Sequence, residues 1–123
     1  MVPVLLGDTA GVLSNSGTIS GGNSGAGIAL DINAATDSVT NNDGATIGGA
    51  AHAGNAVDIS GGTLTTLTNN DTIQSDGAIA INNDSAITTF TNTGTVTESN
   101  GTAMDVDGAI TTFTNSGTIS TTA

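Results

Sequence analysis

The feature that most constrains the fold of this chain is an internal repeat. A short string recurs five times and contains an apolar residue, a polar residue, an asparagine, a turn and a second apolar residue. The first residues of successive copies are 26, 28, 23 and 23 positions apart. The copies are Leu13–Ile19, Val39–Ile47, Leu67–Ile73, Phe90–Val96 and Phe113–Ile119. A period of about 20 to 50 residues is typical of stacked-repeat proteins.

Each period contains three short segments of β-sheet character. A segment like Ala29–Ile32 lies between the asparagine strings, and one like Leu64–Leu67 leads into the next string. Gly, Asn and Asp separate the segments, and no apolar stripe of helical spacing persists for three turns. The sequence therefore predicts an all-β fold, a parallel β-solenoid in the form of a right-handed β-helix. We expect a single domain over residues 1–123, with about five coils of 23–28 residues and no caps.

The repeat assigns the large apolar residues to three columns that face the interior of the solenoid. Equivalent strands of successive coils are then about 4.8 Å apart, so a narrow core needs few large residues. The first column is Leu13, Val39, Leu67, Phe90 and Phe113, and the second is Ile19, Ile47, Ile73, Val96 and Ile119. The third column is Leu30/Ile32, Val57/Ile59, Ile79/Ile81 and Met104/Val106.

One asparagine recurs at the same place in every period. Stacked side-chain amides can hydrogen-bond from coil to coil, so the sequence predicts a buried structural asparagine ladder at a corner. A polar ligand site is the alternative that the pattern leaves open. The ladder residues are Asn15, Asn41, Asn69, Asn92 and Asn115.

The segment Thr111–Ser120, Thr-Thr-Phe-Thr-Asn-Ser-Gly-Thr-Ile-Ser, and its sister segments resemble a known class of repeat. They are similar to the degenerate repeats of autotransporter passenger domains, which are surface-exposed β-helices of Gram-negative bacteria and often adhesins. The resemblance covers nearly the whole chain and implies an extracellular or bacterial cell-surface location. The β-barrel of that family is not recognisable in these 123 residues. Its signal peptide is not recognisable either, because Met1–Leu6 is short and has no basic residue.

Composition excludes several classes of partner. The chain has no Lys or Arg and 11 acidic residues, a formal net charge of −11. Without cations it has no means of neutralising phosphates, so we expect no nucleic-acid partner. No apolar run approaches the roughly 20 residues of a membrane span, so we expect no membrane insertion. The absence of Cys excludes a disulfide framework.

The two ends of the repeat are complementary in spacing. The interval Val4–Leu13 equals Met104–Phe113, and joining Ala123 to a second copy's Met1 would place the next Leu13 23 residues after Phe113. The sequence therefore predicts a self-associating extracellular rod or filament subunit that stacks head to tail with itself. The alternative is a segment of a longer solenoid, such as an adhesin or autotransporter stalk that binds glycan or a host surface. The expected contact residues are Val4, Leu6, Ala10, Leu13, Ile110, Phe113, Asn115 and Ile119.

Catalytic constellations have little support in the sequence. The single histidine, His52, lies in a Gly- and Ala-rich loop without Cys or a second His, so we expect an exposed residue without a chemical role. Paired carboxylates can hydrolyse glycosides, but sugar sites usually contain aromatic residues and the two Phe are assigned to the core. The sequence therefore predicts that the protein is not an enzyme.

Two outward columns suggest surface chemistry. Asp31, Asp58 and Asp105 share one strand position, which Ala80 interrupts. Stacked carboxylates repel, and a Ca²⁺ ion would relieve the repulsion, although a solvated acidic face without any cofactor is the simpler interpretation. Thr-x-Thr pairs form the second feature and are similar to the faces of ice-binding β-solenoids. These pairs are Thr66/Thr68, Thr89/Thr91 and Thr112/Thr114.

Overall fold

A computed structural model describes residues 4–6, 10–21 and 27–122 of the chain. In this part the regular structure consists of fifteen β-strands, three for each of five coils. The strands of coils one and two are β1 (Val4–Leu6), β2 (Ala10–Asn15), β3 (Thr18–Ile19), β4 (Leu30–Ile32), β5 (Thr36–Asn41) and β6 (Thr46–Gly48). Those of coils three to five are β7 (Val57–Ile59), β8 (Thr63–Asn69), β9 (Thr72–Asp76), β10 (Ile79–Asn83), β11 (Ala86–Asn92), β12 (Thr95–Ser99), β13 (Thr102–Val106), β14 (Ile110–Asn115) and β15 (Thr118–Thr122).

The strands form three parallel sheets that run along the length of the solenoid. Sheet A has the order β1-β4-β7-β10-β13, sheet B the order β2-β5-β8-β11-β14 and sheet C the order β3-β6-β9-β12-β15. Neighbouring strands in each sheet come from consecutive coils, so every coil contributes one strand to each sheet. The predicted all-β parallel solenoid of about five turns is therefore confirmed. Among the described residues there is no helix long and apolar enough to cross a membrane.

Strand register places the first two predicted apolar columns as expected. In sheet B, Val39 pairs with Leu67 and Phe90 pairs with Phe113; in sheet C, Ile47 pairs with Ile73. Strand residues alternate between the two faces of a sheet, so both columns face the interior. Their members in coils two to four, such as Leu67, are 0% exposed.

The third predicted column is wrong in coil four by two residues. Ile81, and not Ile79, pairs with Val57 and Met104, and Asn83 takes the place that Ile59 occupies in coil three. A shift of two residues preserves the alternation of inward and outward side chains, so the apolar pattern alone does not detect it. Asn83 is fully buried, and its Nδ2 donates to the carbonyl of Gly108 at 3.1 Å while Oδ1 has no partner in the described structure.

The expectation of an exposed His52 is also wrong. This side chain, between β6 and β7, is only 3% exposed, and its Nε2 lies 3.0 Å from the carbonyl oxygen of Asn55. The loop around it contains small residues, and a methyl group at Gly21 would lie 2.8 Å from the ring Cε1. The ring therefore fills space that neighbouring Gly and Ala residues leave open.

Candidate functional sites on the end coils and outward columns

The five repeated asparagines form a continuous hydrogen-bonded column. Each Nδ2 donates to the Oδ1 of the next coil's asparagine, at distances of 2.8, 2.9, 2.7 and 2.8 Å from coil one to coil five. The residues that give these distances in order are Asn15, Asn41, Asn69, Asn92 and Asn115. We call this column the asparagine ladder. All of its donors point along the solenoid in one direction, from coil one towards coil five.

Interior members of the ladder are not accessible to a ligand, and their amide donors are already used. The Nδ2 of Asn69 also donates to the carbonyls of Asp71 at 2.9 Å and Thr95 at 3.1 Å. The side chains of Asn41, Asn69 and Asn92 are 0% exposed. They close the corner between sheets B and C by bonding both their own turn and the next coil, and the ligand alternative has no accessible amide in coils two to four.

Coil five presents an incompletely covered surface. We define the fifth-coil face as the end of the solenoid formed by the free edges of β13, β14 and β15, on the side away from coil four. Phe113 stacks on Phe90 with ring centroids 5.0 Å apart, but it remains 47% exposed where Phe90 is 0% exposed. Val106 is 45% exposed, and Ile110 and Ile119 are only partly buried against the core. Asn115, the end of the ladder, is exposed.

Coil one presents the opposite end of the same columns. We define the first-coil face as the end of the solenoid formed by the free edges of β1, β2 and β3, on the side away from coil two. Val4, Leu13 and Ile19 are partly buried apolar residues that pack against the core from this side. Through the column register, Leu13 corresponds to Phe113 and Ile19 to Ile119. Leu6 and Ala10 pair through their backbones with Ile32 and Thr36, and their side chains lie outside the described structure.

The acidic column differs from the sequence prediction. Ala80 does not interrupt it, because Asn82 pairs with both Asp58 and Asp105. Asn82 Nδ2 donates to the Asp58 carboxylate at 2.7 Å and so separates the like charges on either side of it. Asp31, the other carboxylate of the column, pairs directly with Asp58.

Asp31 has the most unfavourable environment of the column. Burial, and then the neighbouring Asp58 carboxylate, raise the pKa of Asp31 above its ordinary value of 3.8. One of its oxygens is buried and has no hydrogen-bond partner in the described structure. Within the described ranges, no three His, Cys, Asp or Glu side chains come together as a metal-binding group. A Ca²⁺ site at Asp31, Asp58 and Asp105 therefore stays a prediction.

One fully buried carboxylate of the described structure was not predicted from the sequence pattern. Glu98 is 0% exposed and occupies the column position of Ser75 in β9. Its Oε1 accepts from the backbone N–H of Gly77 at 2.6 Å, and its Oε2 accepts from the backbone N–H of Gly101. With both oxygens bonded to loop backbone, the side chain joins the loops after β9 and β12 and is not free for acid–base chemistry.

Threonines form two regular outward arrays. In sheet B, β8, β11 and β14 place the three predicted Thr-x-Thr pairs in register. In sheet C, one column is threonine in every coil. This column contains Thr18, Thr46, Thr72, Thr95 and Thr118.

Replacing an interior ladder residue should be much more costly than replacing the last one. Asn69→Ala leaves buried groups on coils three and four without partners, so we expect a loss of about 2 to 4 kcal/mol in the free energy of unfolding. Asn115→Ala removes a single acceptor at an exposed position and should cost less than about 1 kcal/mol. Denaturant titration of dilute protein measures both, and equal losses would show that the ladder is energetically unimportant.

Removing the Asp31 charge should stabilise the protein at neutral pH. A carboxyl whose pKa is raised on folding favours the folded state below its unfolded pKa, and this contribution is lost as pH rises through the folded value. We therefore expect Asp31→Asn to gain about 0.5 kcal/mol at neutral pH and nothing in acid. Urea unfolding at both pH values tests this, with Asp37→Asn as the exposed-charge control on β5. A gain that persists in acid would contradict the assignment.

Comparisons with known proteins give no relative from which to transfer a function. No protein-family model matches the chain, and no curated protein or solved structure matches it significantly. The similarity to autotransporter passenger repeats therefore remains a resemblance in the repeated strings.

Proposed function

We propose that the chain is a structural subunit that stacks head to tail with copies of itself into an extracellular rod. The observation that carries the proposal is the contrast between two stacked rings. Phe90 is 0% exposed because coil five covers it, whereas Phe113 has the same position in coil five and is 47% exposed. A further coil placed on the fifth-coil face would cover Phe113 in the same way.

The first-coil face has the residues that such a further coil requires. Register continues the Phe113 column with Leu13, and the Ile119 column with Ile19. Complete burial of a large apolar side chain contributes about 1.5 to 3 kcal/mol, and docking would also pair the outer strands of all three sheets. Two different faces meet in this contact, so it does not close on itself and it extends into a filament.

Charge favours growth at the ends over association at the sides. The net charge is −11 with no cation to offset it, whereas the apolar columns that end at the two faces are uncharged. Acidic outward positions such as Asp37 and Asp84 would repel a parallel neighbour and keep the rod soluble. The proposed rod needs no cofactor, no nucleic acid, no membrane insertion and no enzymatic activity.

A segment of a cell-surface adhesin or autotransporter stalk is the alternative with the same architecture. It is supported by the resemblance of the repeats, and it would place further coils of one longer chain, instead of a second copy, over Phe113. Binding of glycan or host surface would then belong to the outward columns. The oligomeric state of the isolated chain separates the two candidates, because only the first requires association.

Ice binding is a third candidate function, which one observation favours. The unbroken threonine column of sheet C repeats a hydroxyl and a methyl group about every 4.8 Å along the solenoid. A column of this regularity can order water at a repeated spacing. We expect Thr72→Lys, at the centre of the column, to abolish any thermal hysteresis of the wild-type protein. Absence of hysteresis in the wild type would eliminate this candidate.

Electron microscopy of the purified chain, with and without Ca²⁺, tests the rod proposal. We expect thin unbranched fibres with an axial repeat of five coils, on the order of 24 Å. Phe113→Asp should abolish them, because docking would bury an unpaired carboxylate. Thr114→Asp is the matched control, since it adds the same charge on the outward side of the same strand and should still form fibres. Isolated particles of wild-type protein at high concentration would overturn the proposal.

A further inference from the structure

We infer that the junction has a single polarity and register, which are set by Asn115 and Gly17. This inference rests on the proposed head-to-tail assembly. Asn115 Nδ2 on the fifth-coil face donates to the Oδ1 of the partner subunit's Asn15, and the partner subunit's Gly17 packs directly on the backbone of Gly117. The asparagine ladder then continues from one subunit into the next without a break, and every subunit in a rod points in the same direction.

The direction of the asparagine ladder supplies the first argument. Asn92 Nδ2 donates to Asn115 Oδ1 at 2.8 Å, and no described group accepts a hydrogen bond from the Nδ2 of Asn115. At the other end, Asn15 donates to Asn41 at 2.8 Å, so its Oδ1 faces away from the rest of the ladder. The fifth-coil face therefore ends in an unused amide donor, and the first-coil face ends in an amide acceptor.

Backbone groups in the adjoining turn are arranged in the opposite sense. The N–H of Ser116 donates back to the carbonyl of Asn92 at 2.9 Å, and the N–H of Thr118 donates back to Gly94 at 2.8 Å. By the same pattern, the fifth-coil face presents carbonyls at this turn and the first-coil face presents N–H groups. Opposite faces match each of these donors with an acceptor in the arrangement that interior coils already use, and two copies of one face cannot repeat that arrangement.

Coil one, whose first-coil face has no coil against it, makes a different hydrogen bond at this turn. In coils four and five, the turn glycines donate to the preceding coil, Gly94 to Asn69 O at 3.1 Å and Gly117 to Asn92 O at 3.2 Å. The equivalent N–H of Gly17 instead donates to the side-chain Oδ1 of Asn15 at 3.1 Å. On docking, this N–H would donate instead to the carbonyl of the partner subunit's Asn115. Asn15 Oδ1 would then be free to accept from the side-chain amide of the partner subunit's Asn115.

Close packing of the turns supplies an independent steric argument. A methyl group at Gly94 would lie 2.1 Å from the Asp71 carbonyl oxygen, and one at Gly117 would lie 2.0 Å from the Gly94 carbonyl oxygen. These glycines are required where one short turn stacks on another of equal length. A methyl group at Gly17 meets nothing within 4 Å, and this residue does not have a left-handed backbone. Gly17 therefore has no steric role among the residues that the structure describes, but it matches what a docked fifth-coil face requires.

Two variants test the inference by blocking one face each. Gly17→Ala leaves the described coil undisturbed but would place its methyl group against the backbone of a docked Gly117. Asn115→Asp keeps the acceptor for Asn92 Nδ2 but loses the donor and directs a carboxylate oxygen at the partner subunit's Asn15. We expect each variant alone to be monomeric in analytical ultracentrifugation, with a wild-type circular dichroism spectrum.

Mixing the two variants gives the decisive measurement. Each retains the face that the other has lost, so an equimolar mixture should form a one-to-one heterodimer and nothing larger. Ser116→Asp, which adds the same charge beside Asn115 on an exposed position, should assemble like wild type. If wild-type protein forms fibres but either variant alone also polymerises, the inferred polarity and register are overturned and the rod proposal stands. The same holds if wild-type protein forms fibres and the mixture of variants stays monomeric. Monomeric wild-type protein would overturn both proposals.

Discussion

The structure depends on the pairing of identical positions in consecutive coils, and the asparagine ladder is where this pairing is most demanding. The apolar columns tolerate Leu, Val or Phe at one level, because burial is not directional. An amide that must donate to two backbone carbonyls and to the next amide tolerates no such exchange. Buried amides that are fully bonded specify one register, and a coil that slipped would leave several polar groups without partners. The ladder therefore determines the register, and the apolar columns supply most of the burial.

How well the sequence predicted each feature follows from this division. The positions of the ladder and of the two apolar columns beside it could be predicted from the sequence, because the repeated asparagine marks the same position in every coil. The segment around Ile81 has no such marker, and a shift of two residues is invisible to a period of two. His52 was misplaced because a Gly- and Ala-rich loop predicts exposure, whereas enclosure of the ring depends on Gly21 from the preceding coil. Glu98 was missed for the same reason, since its backbone partners come from two coils.

Correct register also changes the interpretation of the acidic face. With Ala80 in the column, an apolar residue would separate Asp58 from Asp105 and offer neither carboxylate a hydrogen bond. Asn82 instead donates to Asp58 and provides a neutral hydrogen-bonding spacer. The remaining direct pair, Asp31 and Asp58, is one local repulsion within an otherwise solvated face. In the proposed assembly, the charge of this outward surface would keep neighbouring rods apart.

A solenoid of this kind has no size at which its core is complete. Each coil is stabilised mainly by the coil before it and the coil after it, so the terminal coils always lack one of their two neighbours. The consequence is visible here as the difference in exposure between Phe90 and Phe113. A cap would end the series by covering the last ring with a polar surface, whereas the fifth-coil face offers the same apolar column, amide donor and carbonyls that every interior coil offers to its successor. Docking of a first-coil face would therefore repeat an interaction that the chain already makes four times along its ladder. Growth by addition of like coils needs no contact of a new kind, which is the physical reason for the proposal that the partner is a second copy of the chain.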